Sequence, residues 1–284
     1  MKGIKNIGNS CYMNSALQLL FNSYDLCILI NTNKSYELIN KINLNIIKYY
    51  SVVSQNTNVE KYFNPTEIKN IIDLNTNMFS GSLQQDSSEF ITFFFDIIDK
   101  SCHKMLYKMF GIQTNINIKC KVPSCLHTSS HIENDLLLHL NCSPSLSDSY
   151  RLYKTDEILE NENAFQCNGC NNKTQARKRI EITKWPNNLI IVLKRFNHVM
   201  KKNNNDVIIP LKWRHGYELQ GGIIHIGNFH GGHYIYYGLN KIINKWVIVN
   251  DSNISVIEDM DMFLQKYIYK SYILYYVKNE ITLV

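Results

Sequence analysis

The chain has 284 residues, 45% of them hydrophobic and 19% charged, which is enough apolar content for a sizeable core and too little charge for extensive disorder. No apolar run approaches the roughly 18 residues that span a bilayer, and the opening MKGIKNIGNSCYMN lacks the apolar segment of a secretory signal. A reducing compartment is therefore expected, in which the eight cysteines read as catalytic, metal-bound or buried thiols and not as disulfides. The net charge of +6 is dispersed, and its densest run, Lys173 to Arg179, reads as solvated surface and not as a nucleic-acid face.

Taken in chain order, residues 1 to about 108 read as helical. Met13, Ala16, Leu17, Leu20 and Phe21 follow Cys11 at helical spacing. Asn64-Pro65-Thr66-Glu67 supplies a cap residue, a proline at the first helical position and an acid two residues on, ahead of the stripe Ile68, Ile71 and Ile72. Asp86-Ser87-Ser88-Glu89 has capping-box logic before Phe90, Phe93, Phe94, Ile97 and Ile98. Residues of about 109 to 185 carry short alternating runs, Ile116 and Ile118, then Leu136, Leu138 and Leu140. From 186 to 284 the chain is mostly strand: Leu189 to Leu193, Ile223 to Ile226, Tyr234 to Leu239, Trp246 to Val249 and Tyr272 to Val277. Helices first and sheet later predicts an α+β fold.

Cys11 stands where a polar, glycine-containing loop gives way to a helix, a setting in which backbone N–H groups favour the thiolate. Alone it reads more readily as a buried structural thiol. His233 opens a strand in HGGHYIYYG, and the next strand, WVIVND, ends on Asn250 and Asp251. A regular hairpin turning near Lys241 to Lys245 sets residue 239 opposite 245, and so 233 opposite 251 with 250 beside it. That supplies a polar orienter for the imidazole: the Cys–His–Asn/Asp arrangement of a thiol hydrolase, with either Asn250 or Asp251 in the third place. Asn6, five residues before Cys11, is placed to donate to a developing oxyanion, and reads otherwise as a loop-shaping asparagine.

Cys120 and Cys125 form C-x4-C, and Cys167 and Cys170 form C-x2-C, each on a turn-like segment between strands. Two such pairs can close a tetrahedral structural Zn2+ site. The wide first pair leaves open His127 in place of Cys125, or thiols without metal. Cys27, Cys102 and Cys142 read as buried hydrophobes.

Together these residues resemble the ubiquitin-specific protease family. GIKNIGNSCYMNSALQLL looks like its Cys box, and QQDSSEF like the acidic helix start that follows. CKVPSC…ENDLLLHL…FQCNGC looks like its zinc-bearing fingers. WPNNLIIVLKRF and GGHYIYYG…WVIVNDS look like its His boxes. The matches run in family order from Gly3 to about Ser255. The resemblance implies a papain-like cysteine protease fold in one catalytic domain over 1–284, a minimal one: helical thumb over about 1–108, fingers over about 109–185, β-rich palm over about 186–284. It implies hydrolysis of the peptide or isopeptide bond after the C-terminal Gly-Gly of ubiquitin, with Cys11 as nucleophile, His233 as base, Asn250 as third member, Asp251 able to take or share that role, and Asn6 at the oxyanion. Asp86 and Tyr234 match residues lining the channel for ubiquitin's tail, and His230 is expected as a wall of it. Residues 198 to 208 and the turn around Gly227 to Gly232 match substrate-gating loops. Expected partners are ubiquitin and ubiquitinated proteins, with no nucleic acid, no membrane and a monomeric chain in the cytoplasm or nucleus. Two competing readings are an inactive ubiquitin-binding relative, opposed by the intact Cys11, His233 and Asn250, and a zinc-containing nucleic-acid module, which leaves the Cys–His–Asn pattern unexplained.

Overall fold

The computed structural model describes residues 1–54, 61–197, 199–228 and 231–279. Strand β1 (Gly3–Ile4) leads into helices α1 (Cys11–Phe21), α2 (Tyr24–Thr32) and α3 (Glu37–Ser54). Strand β2 (Tyr62–Phe63) pairs with β1 and is followed by α4 (Thr66–Asn75) and the long α5 (Ser87–Phe110). Every residue of α1 is buried, so this helix is the axis of the helical layer and not an amphipathic surface helix. Its Leu17, Leu20 and Phe21 pack with Ile68, Ile72, Phe90, Phe94 and Ile98 in one core. The cap before α4 lies one residue later than the sequence reading: Pro65 is the N-cap, while Asn64 Oδ1 accepts from the Thr66 N–H at 3.2 Å and the Thr66 hydroxyl at 2.7 Å.

Next come β3 (Ile112–Cys120), β4 (Thr128–Asp135), β5 (Leu138–Asn141), α6 (Leu146–Tyr153), β6 (Glu157–Leu159), β7 (Phe165–Cys167), β8 (Asn172–Thr174) and β9 (Ala176–Lys184). Strands β4, β3, β9 and β6 form a separate sheet in that order, and β7 pairs with β8 beside it. β5 leaves this region to run parallel to β10 (Asn188–Lys194) at the end of the large sheet. The large sheet is completed by β11 (Lys212–Trp213), β12 (Tyr217–Asn228), β13 (Gly231–Asn240), β14 (Lys245–Asn250), β15 (Asn253–Val256) and β16 (Ser271–Lys278), with α7 (Met260–Lys266) before the last strand. Its order is β15-β14-β13-β12-β16-β10-β5, with β11 on β12. One face, carrying Tyr234, Tyr236, Val247, Val249, Ile273 and Tyr275, joins the helical core. The other, carrying Ile235, Tyr237, Ile248 and Tyr276, packs with Trp213 and Phe263. The mixed helix-and-sheet architecture agrees with the α+β expectation.

The β13–β14 register differs from the sequence reading. Leu239 faces Trp246 and Asn240 faces Lys245, because four residues, Lys241 to Asn244, make the turn and Asn244 closes it at φ 49°. A one-residue slip moves every side chain to the opposite face. Continued along the strands, this register puts Asn250 on the face of His233, and Asp251 on the face of Tyr234.

Candidate active site

The site lies where the first loop, the start of α1 and the ends of β13 and β14 meet. Gly3 permits the approach: a Cβ there would lie 2.2 Å from the carbonyl oxygen of Ser252. The Ile4 N–H then donates to the Asp251 carbonyl at 2.8 Å, which stitches the first strand to the turn after β14. Gly8 (φ 109°) and Asn9 (φ 47°) turn the chain tightly into α1, and Ser10 Oγ accepts from the Ile7 N–H at 2.9 Å. Cys11 is thereby the first residue of α1, with its side chain buried.

His233 Nε2 lies 2.7 Å from Asn250 Oδ1. An amide oxygen only accepts, so Nε2 carries a hydrogen, and in the neutral ring Nδ1 is the nitrogen with the lone pair. The carboxylate of Asp251 is farther, its Oδ2 4.0 Å from Nε2. That carboxylate is held by two amides: Asn6 Nδ2 donates to Oδ2 at 2.9 Å and Asn14 Nδ2 donates to Oδ1 at 2.7 Å. Asn6 is fixed at its other end as well, since its Oδ1 accepts from the Gly8 N–H at 3.0 Å. The two residues that the sequence left as alternatives are thus divided, Asn250 on the imidazole and Asp251 on Asn6.

Burial pushes the Cys11 thiol above its ordinary value; the backbone N–H of Tyr234 pulls it down, and the carboxylate of Asp251 adds to the rise. The helix-start setting alone therefore does not make a thiolate here, because desolvation of the charged form outweighs the donors.

A cavity of about 390 Å³ adjoins this centre, lined among others by Gln84, Asp86, Phe196, His225 and Tyr272. Asp86 is the N-cap of α5, accepting from the Ser88 and Glu89 N–H groups, and its carboxylate also accepts the hydroxyls of Tyr234 at 3.0 Å and Tyr272 at 2.9 Å. Burial and this neighbouring carboxylate hold both phenols well above their ordinary range. His225 is buried with no partner for Nδ1 among the described residues, and burial lowers it to about 4, so its ring is neutral. The strands around the cavity are pinned from behind. The buried Arg195 donates to the carbonyls of Ser271, Asn203, Asn205 and Tyr269. Lys202 Nζ donates to those of His225 at 2.6 Å and Gly227 at 3.0 Å. His230 lies outside the described residues.

The four cysteines Cys120, Cys125, Cys167 and Cys170 converge at the tip of the separate sheet, with sulfurs all within 4.8 Å of one another. Cys125 and Cys167 sulfurs are 3.7 Å apart, close to the spacing of about 3.8 Å that Zn–S bonds of about 2.3 Å give in a tetrahedron. Gly169 lets the second turn close, since a Cβ there would lie 2.5 Å from the His127 Cβ. The thiol set fits a tetrahedral metal ion; His127 is not part of it.

Asn14, His225, Tyr272 and Gln84 were not singled out from the sequence. Asn14 had a signal, being one turn after Cys11 on the same helix face; the other three had none beyond strand alternation or a polar loop.

The family model described as ubiquitin carboxyl-terminal hydrolase matches residues 2–276. Among similar proteins, ubiquitin carboxyl-terminal hydrolase 4 of Vanderwaltozyma polyspora is 26% identical over 88% of this chain and 38% of its own length. Ubiquitin carboxyl-terminal hydrolase 23 of Arabidopsis thaliana is 24% identical over 98% of the chain and 35% of its own length. The chain thus spans well under half of these relatives. In fold it is similar to a chain of the SAGA DUB module Ubp8/Sgf11/Sus1/Sgf73 bound to monoubiquitin, with a TM-score of 0.81 at 22% identity, over 99% of this chain and 70% of that one. With the family model matching almost end to end, the chain belongs to the ubiquitin carboxyl-terminal hydrolase family.

Proposed function

We propose that this protein is a cysteine-type deubiquitinase, hydrolysing the bond that follows the C-terminal Gly-Gly of ubiquitin. The observation that carries the reading is the 2.7 Å contact of His233 Nε2 with Asn250, which leaves Nδ1 as the base for the thiol of Cys11. Structures of the SAGA DUB module similar to this chain hold monoubiquitin or ubiquitin aldehyde, which supports ubiquitin as the partner.

In this mechanism His233 Nδ1 takes the proton of Cys11, and the thiolate attacks the carbonyl of ubiquitin's last glycine. The oxyanion accepts from the free N–H of the Asn6 amide and from the Cys11 backbone N–H. The intermediate collapses to a thioester as His233 returns the proton to the leaving amine. Water then attacks the thioester with His233 as base, releasing the carboxylate and restoring the thiol. The cavity beside Asp86, Tyr234 and His225 supports a channel for the extended tail, with Asp86 fixing two of its walls. We assign Zn2+ to the four cysteines as a structural ion that closes the fingertip. The free state of all eight cysteines supports work in a reducing compartment, the cytoplasm or nucleus, and a monomeric chain is the simplest form of this reading.

Steady-state cleavage of diubiquitin tests it. The wild type is expected to release monoubiquitin, and His233→Ala to lose about 10²–10⁴ in kcat. Cleavage that persists unchanged in His233→Ala contradicts the assignment.

A further inference from the structure

Backbone groups on β13 alternate between its two neighbours. Tyr236 faces Val249 of β14, and the pairing with β14 stops there. The even-numbered residues before it, Gly232 and Tyr234, keep their N–H and C=O toward the space that β14 has left. This open edge runs along the catalytic centre, because the Tyr234 N–H points at the Cys11 thiol. Two residues earlier, both groups of Gly232 are already taken. The Gln84 side chain accepts from the Gly232 N–H at 3.0 Å and donates to the Gly232 carbonyl at 3.2 Å. A primary amide making this reciprocal pair reproduces what a peptide unit does when an extended strand adds to a sheet edge.

Gln84 comes from across the cleft, on the segment that leads to Asp86, and both residues line the 390 Å³ cavity. The fit is close: a Cβ on Gly231 would lie 2.9 Å from Gln84 Oε1, and one on Gly232 would lie 2.3 Å from His225 Nε2. Gln84 itself is exposed. Its side-chain amide is held to Gly232 by this pair of hydrogen bonds.

We propose that Gln84 is a displaceable latch: in the free protein its amide occupies the backbone site at Gly232 that the extended tail of ubiquitin takes as an added strand. The inference rests on the proposed reading of the site as a ubiquitin-tail channel. The tail, entering between Gln84 and β13, pairs with Gly232 two residues before the Tyr234 N–H, which brings its terminal carbonyl to Cys11. Because only the unlatched form accepts the tail, the apparent affinity is reduced by the fraction of molecules that are open. An exposed hydrogen-bond pair of this kind is worth about a three- to tenfold population bias. The latch therefore acts on substrate capture and not on the chemical step.

Gln84→Met keeps the length of the side chain and removes both hydrogen bonds. Its KM for a ubiquitin C-terminal amide substrate is expected to fall about three- to tenfold with kcat unchanged. The Gly232 amide proton, followed by hydrogen exchange in the free protein, is expected to exchange faster than in the wild type. Exposure of Gln84 keeps the thermal midpoint as in the wild type. A KM that rises or stays level in Gln84→Met overturns the latch, because the amide then contacts the bound tail or costs nothing to displace. An unchanged Gly232 exchange rate overturns it too. A wild type that turns over no ubiquitin substrate, with Gly232 exchange still accelerated in Gln84→Met, locates the failure in the functional reading and not in the Gln84–Gly232 closure.

Discussion

Asn6 and Asp251 are joined amide to carboxylate at 2.9 Å, while the imidazole of His233 stands 4.0 Å from that same Asp251 oxygen and 2.7 Å from Asn250. In the proposed mechanism the carboxylate thereby orients the oxyanion donor, and the neutral amide orients the base. Asn14 holds the other oxygen of Asp251 at 2.7 Å, so the carboxylate has little freedom to turn toward the imidazole.

This division of labour has a kinetic signature. Asn6→Ala is expected to cost about 10²–10³ in kcat, as loss of an oxyanion donor does. Asp251→Ala is expected to lower kcat by a smaller factor, since Asn6 remains but is no longer aimed. The double variant Asn6→Ala/Asp251→Ala should be no slower than Asn6→Ala, because Asp251 acts through Asn6. Steady-state rates on a ubiquitin C-terminal amide substrate check this. Additive losses would assign Asp251 to His233 instead.

The Cys11 thiol is pushed up by burial, so without a base it ionises only as pH passes above the ordinary thiol range. In His233→Ala, alkylation by iodoacetamide should be slow at pH 7.5 and should rise only above the ordinary thiol range. In the wild type, proton transfer to His233 makes the thiolate available, and the profile should begin at lower pH than in the variant. Superimposable profiles would remove His233 from the role of base.

Asp86 combines a helix cap with two tyrosine hydroxyls. Asp86→Ala should cost about 1 kcal/mol of stability from the lost cap, a fall of about 2–4 °C in Tm for a chain of this size. It should also raise KM more than it lowers kcat, since Tyr234 and Tyr272 lose their fixed acceptor. Asp86→Asn keeps a capping oxygen and should retain the Tm. Thermal melts with steady-state kinetics separate the two effects.

The four-cysteine site should carry one Zn2+ per chain by elemental analysis, and a chelator should melt the β3–β4–β9–β6 region first. Cys167→Ser, which removes the most deeply placed sulfur, should abolish metal retention and lower Tm while leaving Cys11 reactive to iodoacetamide. Metal-free protein with an unchanged Tm would contradict a structural ion.

Much of this was legible in the sequence because it is written in local chemistry. The Cys11 loop–helix junction, the Asp86 cap and the two cysteine pairs depend on near neighbours, and each lies in the structure as its spacing suggests. The choice between Asn250 and Asp251 was not legible. It turns on whether Leu239 faces residue 245 or Trp246, and so on Asn244 adopting φ 49° at the end of the turn. Asn is one of several residues that tolerate that conformation, so the sequence permits either register. Asn14, His225 and Gln84 were missed for a different reason. Their partners, Asp251, Gly232 and the cavity walls, are 237 and 148 residues away for Asn14 and Gln84, and side-chain contacts at that range leave no periodic trace. The raised thiol of Cys11 reverses the expectation from its helix-start position, since burial is a property of the assembled core and not of the loop.

In the proposed mechanism Cys11 is the nucleophile of a site built for ubiquitin's tail. The most direct measurement of this is reaction with ubiquitin bearing a C-terminal electrophile, read by intact mass and by mapping the modified peptide, for wild type and Cys11→Ala. A single adduct of one ubiquitin per chain on the Cys11 peptide is expected, and none in Cys11→Ala. An adduct on another cysteine, or no adduct in folded wild-type protein carrying its metal, would contradict it.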